Sequence, residues 1–169
     1  MKRLMRIVAA LLAGAMAFTF ASCDDDDDGV TEVSEWDLNY TESTSSYWVD
    51  WEIDFYSNGT FEIDLDVETS AASDVDVLDV VFAKGTYTGD ATSGTVTMTV
   101  TGVIAGYEKV MGGTFSGVST TWVSDSAGTV TLTATITAGT SMTITSSSLS
   151  GKAGSGTDIS AGWTFSYNW

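Results

Sequence analysis

The sequence predicts an all-β protein: a single antiparallel up-and-down barrel of about eight to ten strands, with a β-sandwich as the alternative. Three observations predict it. Apolar residues recur at every second position through residues 33–169. Gly-bearing turns separate these runs at a spacing of roughly 8–12 residues. No part of that segment carries a convincing helical period. A pleated ribbon with one apolar face must bury it against itself or a second sheet, and closure into a barrel also removes exposed edges.

Residues 1–22 read as an address. Lys2, Arg3 and Arg6 precede an apolar run from Ile7 to Phe20, and small residues follow, which is the order of a secretory signal peptide. The run is shorter than the roughly 20 residues of a spanning helix. Phe20-Ala21-Ser22-Cys23 resembles a bacterial lipobox, whose cysteine becomes the first mature residue and carries lipid. Ala21 and Ser22 fit that pattern; Phe20 stands where an aliphatic residue is usual. The alternative is cleavage after Ala15-Met16-Ala17, leaving a secreted protein without lipid. Because Cys23 is the only cysteine and stands where the modification needs it, lipidation is the expectation. Acyl chains on Cys23, each worth about 0.8 kcal/mol per buried CH2, would anchor the protein in a membrane.

Residues 23–32 read as an acidic tether. Five consecutive Asp, Asp24 to Asp28, precede Gly29. Their mutual repulsion extends the chain and pushes the domain away from an anionic surface within a Debye length of about 8 Å. Acid-rich stretches just after a lipidated cysteine resemble the surface-export signals of some Gram-negative lineages, whereas Asp directly after that cysteine marks inner-membrane retention in others. The length of this run favours the outer membrane and display at the cell surface. Asp24, Asp26, Asp28, Gly29 and Glu35 also match calcium-loop spacing. An all-Asp run satisfies three of those positions automatically, and no helix can enter from Cys23, so only weak divalent-cation association is expected there.

The domain proper spans 33–169. Tyr47, Val49, Trp51, Ile53 and Phe55 share one face of a strand, and Asp50, Glu52 and Asp54 share the other. Ser57-Asn58-Gly59 supplies a tight turn, with Asn-Gly tolerating positive φ. Phe61, Ile63, Leu65 and Val67 then alternate with Glu62, Asp64, Asp66 and Glu68. Further on, threonine replaces acid on the wet face. Val96, Met98 and Val100 alternate with Thr, as do Val130, Leu132, Ala134 and Ile136, and then Met142 and Ile144. The chain ends on Trp163, Phe165, Tyr167 and Trp169, again at every second position. Thr is β-branched and suits a solvated pleat.

The stretch Phe55-Tyr56-Ser57-Asn58-Gly59-Thr60-Phe61, with Gly85-Thr86-Tyr87 and then Gly94-Thr95-Val96-Thr97-Met98, resembles bacterial lipocalin-like (calycin-type) domains, which also carry an early Trp such as Trp36. The resemblance covers about a third of the chain. It implies an up-and-down barrel of about eight strands and, in many members, a small hydrophobic ligand, but no single activity.

Composition excludes much chemistry. There are 23 Asp and Glu against 6 Lys and Arg, no His and 1 Cys. Without His there is no Ser-His-Asp or Cys-His nucleophile and no His-ligated metal; one Cys allows neither an intrachain disulfide nor a thiolate zinc site. So acidic a chain repels phosphate backbones, so nucleic acid is not an expected partner. No G-x-S-x-G elbow occurs, and no carboxylate pair stands out as a glycoside-hydrolysing couple. No catalytic residue, metal site or cofactor is therefore expected. Two binding readings remain. Trp51, Phe55, Phe61, Trp122, Trp163, Phe165 and Tyr167 are the candidate lining of a cavity for a small apolar ligand. Alternatively, the protein is a structural or interaction module at the cell surface that meets its partner through an acidic or aromatic outer face.

Overall fold

The computed structural model of the chain describes residues 29–40, 47–69, 76–111, 113–124, 130–149 and 159–168. The signal segment, Cys23 and the Asp run 24–28 lie outside the described residues.

Among the described residues, nine strands form one sheet: β1 (Glu32–Tyr40), β2 (Tyr47–Tyr56), β3 (Thr60–Thr69), β4 (Asp76–Gly89), β5 (Gly94–Ile104), β6 (Trp122–Ser124), β7 (Val130–Thr137), β8 (Ser141–Ser147) and β9 (Thr164–Tyr167), with one short helix, α1 (Tyr107–Met111). Their order is β4-β3-β2-β1-β9-β8-β7-β5-β6, and β5 pairs back onto β4. Eight strands therefore close into an antiparallel barrel. The sandwich alternative falls with that closure. The ninth strand, β6, extends the edge of β5 beyond β7: β5 pairs with β7 over 94–100 and with β6 over 102–104.

Side-chain alternation decides which face turns inward. In β3, Phe61, Ile63, Leu65 and Val67 are buried and the acids between them are only partly so. They face Phe55, Ile53, Trp51 and Val49 of β2 in register. The turn that sets this register is local. Gly59 takes φ +82, and the Asn58 side-chain oxygen accepts from the Thr60 backbone N–H at 3.0 Å and from its hydroxyl at 2.6 Å. A slip of one residue would turn the whole apolar set outward.

Both ends of the barrel are covered. At one end the Ser34 hydroxyl donates to the Ala91 carbonyl in the β4–β5 turn (2.8 Å) and accepts from the Trp36 indole N–H (3.1 Å). At the other, the connection containing α1 buries Val110 and Phe115, and Phe115 meets Tyr47 edge-on with centroids 5.3 Å apart. Gly85 marks a close approach of two backbones. A Cβ there would lie 2.0 Å from the Thr99 carbonyl oxygen on β5 and 2.9 Å from the Phe61 ring.

Gly85→Ala should therefore cost about 1–3 kcal/mol by overpacking, read as a lowered denaturation midpoint with an unchanged slope. A variant as stable as the parent would show that the β4–β5 seam yields.

Candidate functional site

The interior comes first, because seven aromatics were expected to line a cavity. Trp51, Phe55, Phe61 and Phe165 do converge inside the barrel, at 1% exposure or less. Trp51 meets Phe82 edge-on (5.1 Å), and Phe55 contacts Phe61 (6.4 Å) and Tyr87 (4.9 Å). Side chains with essentially no accessible surface border no water-sized void, so these four pack as core. Trp163 and Tyr167 are half-buried at the short seam around β9, where Tyr167 stacks at a tilt on Trp36 (4.9 Å). Trp122 does not join the set. It lies on β6, outside β5, 38% exposed, over Gly102 and under the Lys84 ammonium at 4.3 Å. One polar atom inside stands out: the Trp51 indole N–H is buried with no hydrogen-bond partner among the described residues.

The outer face of β1, β2 and β3 is of a different kind. Cross-strand register sets acid opposite acid: Asp37 against Glu52 and Glu35 against Asp54 between β1 and β2, then Glu52 against Asp64, Asp54 against Glu62 and Asp50 against Asp66 between β2 and β3. Asp66 continues to Asp79 on β4. Like charges directly opposite destabilise a sheet. The acids of the β2–β3 hairpin were legible in the sequence; the contribution of β1 was not.

Desolvation and repulsion act together on this face. Asp64 is pushed up to about 7, by burial first and then by Glu62 on its own strand and Asp79 on β4. Glu52 and Asp54, two residues apart on β2, share a side-chain hydrogen bond, and burial followed by the surrounding carboxylates holds both well above the ordinary range. Two carboxyl groups can share such a bond only when one keeps a proton.

Among the described residues, three groups of carboxylates place one oxygen each within 4.8 Å of one another: Glu32, Glu35 and Asp54; Glu35, Asp37 and Glu52; and Asp66, Glu68 and Asp76. Sequence spacing pointed to none of them. The first depends on a β-bulge between Glu32 and Ser34, which leaves Val33 as the extra residue and turns Glu32 onto the same outer face as Glu35. Asp54 completes the group from β2. It is 7% exposed, and its Oδ1 has no hydrogen-bond partner among the described residues. The Asn168 amide donates to Glu35.

The pH dependence follows from Asp64, with Glu52 of β2, Glu62 of β3 and Asp79 of β4 facing it. In the unfolded chain Asp loses its proton near its ordinary value of about 3.9. The folded protein keeps that proton up to about 7. Between those values the folded state binds more protons, so stability falls as pH rises. The melting temperature should be higher near pH 5 than near pH 9. Asp64→Asn should remove part of the alkaline loss, at about 2–4 °C for each kcal/mol relieved. A midpoint that rises from pH 5 to pH 9 in thermal scans would contradict this.

No known protein family, curated protein or solved structure matches this chain, so its function must be argued from its own geometry.

Proposed function

We propose that this chain is a non-catalytic protein of the cell envelope, anchored through lipid on Cys23 at the outer membrane and displayed at the surface, where the acidic outer face of β1–β3 meets cations or a basic partner. One observation carries the choice of face: the expected cavity aromatics Trp51, Phe55, Phe61 and Phe165 have 1% exposure or less, while carboxylates crowd the outside in facing rows. The field of such a face steers positively charged partners and is screened by salt. Eight residues separate Cys23 from Glu32 at the start of β1. Fully extended, they reach roughly 30 Å. The end of the barrel that holds Glu32 and the Ser34–Ala91 contact would then face the membrane.

A second reading keeps the lipocalin-like resemblance: a small apolar ligand held inside the barrel. The Trp51 indole N–H favours it, because a buried donor without an acceptor costs about 1–3 kcal/mol and a ligand oxygen would satisfy it.

Native mass spectrometry of the full-length protein taken from its own membranes separates the two. The expected result is an acyl mass on Cys23, lost together with membrane association in Cys23→Ala, and no small molecule released on denaturation. A stoichiometric apolar molecule would restore the interior reading, and an unmodified Cys23 would remove the anchor. Binding of an oligolysine peptide should weaken in Asp50→Asn/Asp66→Asn/Asp79→Asn and stay unchanged in Thr97→Ser/Thr133→Ser. Equal loss in both would deny the acidic face its role.

A further inference from the structure

We infer that Glu32, Glu35 and Asp54 form a binding site for one hard divalent cation, Ca2+, on the outer face of the barrel at the end where the chain enters β1. This goes beyond the envelope reading and does not depend on it. It is also distinct from the Asp-run motif, sharing only Glu35 with it.

Two independent observations meet at this place. The first is the arrangement. Glu35 and Asp54 are direct cross-strand neighbours, and the bulge after Glu32 brings a third carboxylate to their face, so that one oxygen from each lies within 4.8 Å of the others. Ca2+ binds oxygens at 2.3–2.6 Å, so ligands on opposite sides of the ion stand about 4.6–5.2 Å apart; the group is compact enough for one ion to touch all three. The second is the buried acceptor. Asp54 is 7% exposed, within reach of Glu32 and Glu35, and its Oδ1 has no hydrogen-bond partner among the described residues. A buried carboxylate oxygen left without donor or water carries a desolvation penalty. A cation supplies what it lacks.

The remaining features suit an ion. Glu32 is exposed and leaves an open approach, through which water completes the six to eight ligands that Ca2+ takes. The Asn168 amide holds Glu35 from β9's end, fixing one ligand from outside the group. Glu35 is shared with Asp37 and Glu52, so a second ion beside the first would compete for the same carboxylate. Asp54 and its orphaned oxygen belong to the first group alone. A dication there offsets the negative charge that these acids gather between β1 and β2.

The test is calorimetric titration of chelator-treated, full-length protein with CaCl2 and, separately, MgCl2, at neutral pH and about 0.15 M salt to suppress diffuse attraction. One saturable Ca2+ site is expected, in the roughly 10⁻⁴–10⁻³ M range of extracellular sites, with a melting temperature that climbs with Ca2+ concentration. Glu32→Gln and Asp54→Asn should each weaken binding about tenfold or more. Glu108→Gln, which removes an exposed charge on α1 far from the group, should leave it unchanged. Should Asp54→Asn fail to fold, the exposed Glu32→Gln decides. Overturning results are heats that never saturate, equal affinity in parent and Glu32→Gln, equal loss in Glu108→Gln, or Mg2+ bound more tightly than Ca2+. An unmodified Cys23 or a ligand retained in the barrel would defeat the envelope reading and leave this titration untouched.

Discussion

Pairing of β5 back onto β4 is the contact on which the other features depend. An open eight-stranded sheet offers two faces and two edges, and its apolar face needs a second layer. Once the sheet closes, the apolar face becomes an interior just wide enough for side chains to fill. Every residue of the other parity is then committed to the outside. The interior is filled by large groups, Trp36, Trp51, Phe55, Phe61, Phe82 and Phe165 among them, and both ends are capped by connections. The closing strands also explain Gly85: two backbones approach there too closely for any Cβ.

Closure has an electrostatic consequence. Asp, Glu and Thr at outward positions cannot be relieved by rotating a strand, because a shift by one residue would expose the core. The acids of β1, β2 and β3 are therefore held opposite one another whatever their mutual repulsion. Partial burial by neighbouring side chains makes the repulsion stronger than in bulk water. The face can relax in two ways, by keeping protons or by taking up positive charge. Among the described residues the cations are Lys84 and Lys109; Lys84 lies over the Trp122 ring and Lys109 reaches the Gly117 carbonyl at 3.4 Å.

Much of this architecture was legible in the chain, because a period of two is written directly into β2, β3, β5, β7 and β8. The β2–β3 hairpin was readable down to its turn, since Asn58-Gly59 is a local signal and local signals survive folding. What stayed hidden is non-local. Nothing in Trp163-Thr164-Phe165 announces that β9 joins β1 to β8 through only a few residue pairs. Trp122 has no alternating neighbours to say which side it takes, and it lies outside. The five-residue helix α1 is too short to carry a period. Glu32 was invisible as a partner of Glu35, because residues three apart in a regular strand point oppositely, and only the bulge reverses that. The packed state of Trp51, Phe55 and Phe61 was equally unreadable, since filled and hollow barrels share one pattern.

The barrel contains its own control for the acidic face. On the opposite side, outward positions of β5, β7 and β8 carry threonine: Thr95 faces Thr135, Thr97 faces Thr133, Thr99 faces Thr131, and Thr135 faces Thr143. Such β-branched, hydroxyl-bearing pairs contribute favourably to a sheet, whereas opposed acids detract from it. Folding alone is thus served better by the threonine solution, and this chain uses it on three strands of the barrel. Solubility does not demand the acids in this arrangement either, since charge spread singly around the barrel would protect it without facing pairs. Acids gathered on three adjacent strands, some desolvated enough to retain protons, are costly to the fold in isolation. That cost falls when positive charge arrives, which is the physical ground for treating this side of the barrel as the one that binds.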